Sequence, residues 1–173
     1  SGGAAGITQK ATFPHIALGE STGGSIAAPA SFCGVFGLCP TYGRVSRYGL
    51  IDFANSLDKI GPIGKTIGDA ALLMNVISGY DENDSTSLNV KNENYENYLK
   101  PIKGMKIGII KEAFGQGIDK EVKDSVYKAI KKIEEENVKA EEISLELPIK
   151  YGIATYYMIA TSEASTNLAK FCG

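Results

Sequence analysis

The sequence predicts an α/β fold, and two observations carry that expectation. Short apolar runs of strand character alternate with helix-period segments along the chain. In addition, residues 105–145 read strand, helix, strand, a βαβ-like unit whose default is a right-handed crossover between parallel strands. The 173 residues suffice for one domain with a core, or for a piece of a larger one. Hydrophobic residues make up 43% and charged residues 22%, which excludes disordered and fibrous classes. A net charge of −2 gives no global attraction to nucleic acid.

The elements follow in order. Ser1 to Gly6 is small and permissive, a loop leading into a short helix over Ala4 to Lys10. Phe13 to Leu18 reads as a strand ending in a glycine loop. His15, the only histidine, has no acidic neighbour in sequence, so a structural role is expected and no Ser-His-Asp triad can be assembled. Ser25 to Phe32 reads as a short helix with Pro29 early in it, where proline is tolerated. Gly34 to Leu38 is a second buried-strand candidate, and Pro40 to Gly43 a turn. Arg44 and Arg47 interleave with Tyr42 and Tyr48. Two cations are too few for nucleic-acid affinity, so these arginines are expected to hold neighbouring carbonyls or carboxylates.

Ser56 to Ile63 reads as a turn-rich connector. Thr66-Ile67-Gly68-Asp69 resembles a capping box with Asp in place of Glu or Gln. It opens a helix with Ile67, Ala70, Ala71, Met74 and Ile77 on one face, stopped at Gly79. Tyr80 to Asn94 is a polar surface loop, and its Asp81-x-x-Asp84 lacks the rest of a calcium-loop pattern. Tyr95 to Leu99 forms one helical turn, and Pro101 to Gly104 breaks the chain. Met105 to Ile110 is the clearest strand. Asp119 to Asn137 is the clearest helix, with Val122, Val126, Ala129, Ile130 and Ile133 as its apolar stripe. Val138 to Leu145 is the returning strand, and Ile153 to Lys170 a last helix after Pro148.

Cys33, Cys39 and Cys172 form an odd set without CxxC spacing, which argues for reduced thiols in a cytoplasmic protein and against a disulfide framework or a zinc site. No signal peptide is visible, and no apolar run approaches the roughly 20 residues of a membrane span. The chain starts without Met and stops directly after a helical pattern, so residues 1–173 are expected to be a single partial domain cut from a longer chain.

The chemistry concentrates in Gly19 to Gly34. Ser25 stands where Gly23 and Gly24 give way to a helix-compatible run. The first N–H groups of a helix lack intrahelical partners, and glycine lets a ligand approach them closely. An exposed hydroxyl beside such donors suits acyl transfer. A glycine loop that only turns the chain or holds phosphate is the other reading. A P-loop needs a lysine where Ser25 stands, the G-x-G-x-x-G order is absent, and G-x-S-x-G does not fit Ser25.

Thr22-Gly23-Gly24-Ser25-Ile26, with Ser1-Gly2-Gly3 placed 24 residues before Ser25, resembles the amidase signature family. Pro40-Thr41-Tyr42-Gly43-Arg44-Val45-Ser46-Arg47-Tyr48-Gly49-Leu50 narrows the resemblance to the glutaminase subunits of tRNA-dependent amidotransferases. So do the runs Ser56 to Pro62, Asp84 to Ser87 and Ser162 to Leu168. The resemblance implies a mixed β-sheet core covered by helices on both faces. It implies Ser25 as nucleophile, Ser1 as the cis-serine proton relay, and a lysine base upstream of Ser1. The backbone at Thr22, Gly23 and Gly24 would supply oxyanion donors, and Tyr156 would line the glutamine pocket. It implies no metal and no cofactor bound by this chain, with ATP and Mg used by a partner subunit. The implied partners are glutamine, amidotransferase subunits B and C, and misacylated tRNA through the partner subunit. The compartment would be the cytoplasm, or an organelle of bacterial origin.

The sequence departs from the family pattern inside the loop. The usual Ser-Asp before Thr22 is Glu20-Ser21, and the usual Arg-Gln after Ile26 is Ala27-Ala28. Joint loss of the acidic and the basic residue suggests that they normally form a supporting ion pair. These departures keep open a stand-alone amidase for another amide, or a non-catalytic scaffold. Without the lysine, residues 1–173 alone are expected to have no useful glutaminase activity.

Overall fold

A computed structural model describes residues 1–100 and 104–171. The break expected over Pro101 to Gly104 lies largely outside the described residues, as does Cys172. The chain divides into two compact units: residues 1–99 with 157–173, and residues 100–156.

The first unit is built around a three-stranded antiparallel sheet. Its strands are β1 (Ala17–Ser21), β2 (Phe36–Gly37) and β3 (Lys59–Gly64), in the order β1-β3-β2. The central strand is therefore the segment that reads as a connector in sequence. Its Gly61 and Pro62 depress strand propensity, but Gly61 pairs with Gly19 of β1, and Pro62 costs no more than one ladder donor. The strand expected over Phe13 to Leu18 instead starts at Ala17 and runs on to Ser21. The second expected strand shrinks to two residues.

Three helices flank this sheet: α1 (Gly2–Lys10), α2 (Ala27–Cys33) and α3 (Ile67–Ile77). α1 begins two residues earlier than expected, with Ser1 at its N-cap. Pro29 occupies the third position of α2, where its missing N–H costs nothing. Gly34 closes α2 at φ 64°. Thr66 and Asp69 form the expected capping box, with Asp69 N–H donating to Thr66 Oγ1 (3.1 Å) and Thr66 N–H to Asp69 Oδ2 (2.8 Å). Ala70, Ala71 and Met74 face inward, while Ile67 is exposed and leaves the expected stripe.

Small residues make the core. Ala5, Ile26 and Ile63 are fully buried, with Ala4, Ala17, Cys33 and Val35 packed around them. Ile26 fills space that three glycines leave open. A Cβ on Gly19, Gly37 or Gly61 would stand 3.0, 2.9 or 3.2 Å from the Ile26 side chain. A methyl there would have to displace a packed side chain.

The arginines behave as expected. Arg47 donates to Asn55 O (2.6 Å) and Thr86 Oγ1 (3.0 Å), and its guanidinium lies over the Tyr42 ring at 4.8 Å. Arg44 donates to Lys91 O (3.2 Å) and to the Tyr95 hydroxyl (2.5 Å). Asp84 accepts the N–H of Arg47 (2.8 Å) and the hydroxyl of Thr86 (2.7 Å), and Asp81 accepts from Ser46 (2.6 Å). These carboxylates are occupied by protein donors, and the described residues contain no cluster of three or more metal-ligating side chains.

The second unit pairs β4 (Lys106–Ile110) and β5 (Lys139–Ile143) in parallel, joined by α4 (Lys120–Glu135). This is the expected βαβ unit. Asp119 caps α4 by accepting from Glu121 N–H (2.8 Å). The α4 stripe is less covered than its pattern suggests, with Val122 56% and Ile133 39% exposed. Its two partner strands are five residues each, and β5 is itself mostly exposed, so they offer α4 little apolar surface. α5 (Glu146–Leu168) starts earlier than expected and contributes its residues through Tyr156 to this unit, and those after it to the first. No described helix is long and apolar enough to cross a membrane.

Candidate active site

The site forms where β1 runs out into α2. β1 ends at Ser21, the chain bends through Thr22 to Gly24, and Ser25 follows at the head of α2. Gly24 sits at φ 146°, a conformation a side chain would strain. Its carbonyl already accepts the N–H of Ala28 (2.9 Å), so helical bonding begins at Gly24. Ser25 is exposed, and Ile26 beside it is fully buried. The nucleophile candidate is thus held in place by its neighbour's packing.

The donors around it divide. Gly24 N–H is given to Ser21 Oγ (3.1 Å). Among the described residues, no acceptor engages the N–H of Gly23 or of Ser25, and the Ser25 hydroxyl has no partner. Two free N–H groups, one on either side of the engaged Gly24 N–H and both beside an exposed hydroxyl, can hold an oxyanion.

Thr22 is tied down through its side chain. Its hydroxyl lies 2.7 Å from Asp58 Oδ1 and 3.1 Å from Glu20 Oε1. The β1–β3 register explains the meeting: Ser21 pairs with Lys59, so the next step outward sets Thr22 opposite Asp58. Asp58 is fully buried, and its other oxygen accepts the N–H groups of Phe53 (2.8 Å) and Ala54 (2.9 Å). Burial pushes the Glu20 carboxyl above its ordinary range. The negative charge of Asp58 pushes it the same way, while Thr22 and the Ser1 ammonium pull against them.

Sequence reasoning missed Asp58. The available signal was a lone acid at the start of Asp58-Lys59-Ile60-Gly61-Pro62-Ile63, a position that must be satisfied once that segment is a central strand.

The structure brings Ser1, Thr22, Gly23, Gly24 and Ser25 into one unit. Ser1 Oγ donates to Glu20 O (2.7 Å) and accepts Glu20 N–H (2.9 Å), so its hydroxyl is joined to β1 one strand position before Ser21. Tyr156 is half-buried on α5, at the end of the second unit. His15 packs edge-on against Phe13 at 5.9 Å, and among the described residues no contact joins it to Ser25.

A free serine hydroxyl on a glycine turn, beside unpaired N–H groups and a buried anchoring acid, is an arrangement that can carry acyl transfer. The chain belongs to the Amidase family, whose family model matches residues 1–173. It is 60% identical over 158 residues to the A subunit of glutamyl-tRNA(Gln) amidotransferase from Thermodesulfovibrio yellowstonii, covering 91% of this chain and 32% of that one. It is 50% identical over 173 residues to the same subunit of Methanosarcina barkeri, covering 100% of this chain and 36% of the other. Among solved structures, the A subunit of the Thermotoga maritima glutamyl-tRNA(Gln) amidotransferase aligns with a TM-score of 0.85 at 46% identity, over 95% of this chain and 36% of that one. The peptide amidase of Stenotrophomonas maltophilia aligns with a TM-score of 0.82 at 27% identity, over 98% and 35%. The chain therefore spans about a third of the length of the curated relatives it matches.

Proposed function

We propose that these residues form the nucleophile-bearing part of the glutaminase subunit of a tRNA-dependent amidotransferase. The observation that carries the reading is Ser25, exposed beside the free N–H groups of Gly23 and Ser25. The high identity to glutamyl-tRNA(Gln) amidotransferase sequences along nearly the whole chain supports the substrate class.

In this reading Ser25 Oγ attacks the side-chain amide carbon of glutamine, and the C=O electrons move to oxygen. The oxyanion is held by the Gly23 and Ser25 N–H groups, with Thr22 and Gly24 shaping the turn. Collapse breaks the C–N bond, and the leaving nitrogen takes a proton to depart as ammonia. Water then attacks the acyl-enzyme, releases glutamate and restores Ser25. A serine hydroxyl needs a base at neutral pH. A lysine outside residues 1–173, with Ser1 as relay, fills that role in the reading, and Tyr156 lines the glutamine pocket. This chain would hold no metal or cofactor. ATP and Mg would act on a partner subunit, where misacylated tRNA receives the ammonia. Subunits B and C would complete a cytoplasmic heterotrimer.

The test is the full-length protein with its partner subunits. Glutamine-dependent ammonia release and labelling by a fluorophosphonate are both expected, and both are lost in Ser25→Ala. Labelling without a co-purifying partner would favour a stand-alone amidase. Absence of labelling would favour a scaffold, the reading that the departures at Glu20-Ser21 and Ala27-Ala28 raise.

A further inference from the structure

Three oxygen-bearing side chains meet beneath the turn that carries Ser25. Thr22 Oγ1 lies within hydrogen-bond distance of both Asp58 Oδ1 and Glu20 Oε1. A hydroxyl has one proton to donate. The 2.7 Å contact to Asp58 has the length of a good O–H···O bond, whereas that to Glu20 is 3.1 Å. The other oxygen of Asp58 accepts two backbone N–H groups, so the whole carboxyl is surrounded by donors. If Thr22 gives its proton to Asp58, the Glu20 contact is a hydrogen bond only when Glu20 carries a proton of its own. Ionised, Glu20 would set a carboxylate against a hydroxyl lone pair and beside a second carboxylate.

We infer that Glu20 is a positioning residue of the oxyanion loop: its carboxylic acid donates to Thr22 Oγ1, Thr22 donates to Asp58, and this chain fixes the Thr22–Gly24 backbone for the donors beside Ser25. The inference rests on the acyl-transfer reading of Ser25. It also gives Glu20 a function, although the family pattern has no acid at that position.

The charged groups around Glu20 are few. Asp58 faces it from the segment entering β3, and the Ser1 ammonium from the start of α1. Lys59 is one register position away, opposite Ser21. Burial, and after it Asp58, favour the protonated acid; the Thr22 hydroxyl, wherever it donates to Glu20 instead of Asp58, and the Ser1 ammonium oppose it. With further residues before Ser1, that ammonium becomes an amide and the opposition disappears.

The experiment measures the second-order rate of Ser25 labelling by a fluorophosphonate, with pH, in the full-length protein assembled with its partner subunits. Wild type, Glu20→Gln and Glu20→Ala are compared. The Gln amide donates to Thr22 at every pH, so the ratio of Glu20→Gln to wild-type rate cancels the titrations they share. It is expected to rise about fivefold between about pH 4.5 and about pH 8, the worth of one net hydrogen bond. Glu20→Ala cannot donate and is expected to label more slowly than Glu20→Gln throughout. A ratio that stays flat or falls with pH, or equal rates for Gln and Ala, overturns the inference alone. If wild type does not label at all, the acyl-transfer reading falls and the inference falls with it.

Discussion

Asp58 and Thr22 lie 36 residues apart in sequence, and their side chains meet at 2.7 Å beneath the turn that presents Ser25. The same carboxylate holds Phe53 and Ala54 by their N–H groups. One buried acid thus joins the end of β1 to the segment that enters β3. Removing it strands three donors in a buried place. Asp58→Ala in the full-length protein is expected to cost about 3 kcal/mol, since unpaired buried donors bear their desolvation penalty. Urea unfolding measures that loss. On the proposed acyl-transfer reading, Ser25 labelling by a fluorophosphonate should fall further than stability explains, because Thr22 loses its anchor.

Gly61 tests how tightly the central strand is enclosed. A Cβ there would stand 2.1 Å from the carbonyl oxygen of Leu38, which is backbone and cannot rotate away. Leu38 N–H also donates to Pro62 O at 3.0 Å, so separating the two segments breaks that bond. Gly61→Ala is expected to destabilise by about 3 kcal/mol, the upper end for overpacking, and a thermal melt reads it.

Glu163 anchors the C-terminal half of α5. It accepts the hydroxyl of Ser56 at 2.5 Å and its N–H at 2.9 Å. The Ser56 hydroxyl, then the Ser56 N–H, hold the Glu163 carboxyl below the ordinary glutamate range. A lowered pKa in the folded state means that this contribution is present above the unfolded value of about 4.3, and is lost as pH falls through the folded one. The urea midpoint of wild type should therefore drop between about pH 5 and about pH 3 more steeply than that of Glu163→Gln. Parallel curves would show that the anchor does not titrate.

Ser21 is 3% exposed, and Ala27 is the first residue of α2. Restoring only the acid, Ser21→Asp, places a carboxylate at a buried position where Ala27 offers no cation. That single change should destabilise the protein, and adding Ala27→Arg should recover it. A double-mutant cycle is expected to give about 1 kcal/mol of coupling or more. Additive effects, or a gain from Ser21→Asp alone, would remove the ion-pair explanation for the joint departure.

Local chemistry was legible in the sequence wherever it was self-contained. The Thr66–Asp69 cap and the βαβ unit depend on nearby residues or on strong periodicity; for Arg44 and Arg47 the kind of partner was legible, but Lys91, Tyr95 and Thr86, 39 to 51 residues away, were not. β3 was not legible, because Gly61 and Pro62 make a strand only once Gly19 lies opposite. Asp58 was lost for the same reason: its importance comes from register, and the register was set by a strand that the pattern concealed. The extent of α4 was legible and its exposure was not, since exposure depends on how much apolar surface lies beneath it. Ser25 and donor N–H groups beside it were read from the glycines and the family resemblance, whereas which of them are free, with Gly24 N–H engaged by Ser21, emerged only with the turn's geometry.

Ile26 occupies the gap left by three absent methyl groups, and it is the residue covalently next to Ser25. In a mutational scan of the full-length protein, positions 19, 37 and 61 should therefore score with Ser25, though their role is to leave space. A library meant to retune the proposed activity would do well to vary them together with position 26. A matched exchange of bulk could slide the head of α2 by fractions of an ångström and redirect the hydroxyl, leaving Thr22 to Ser25 unchanged.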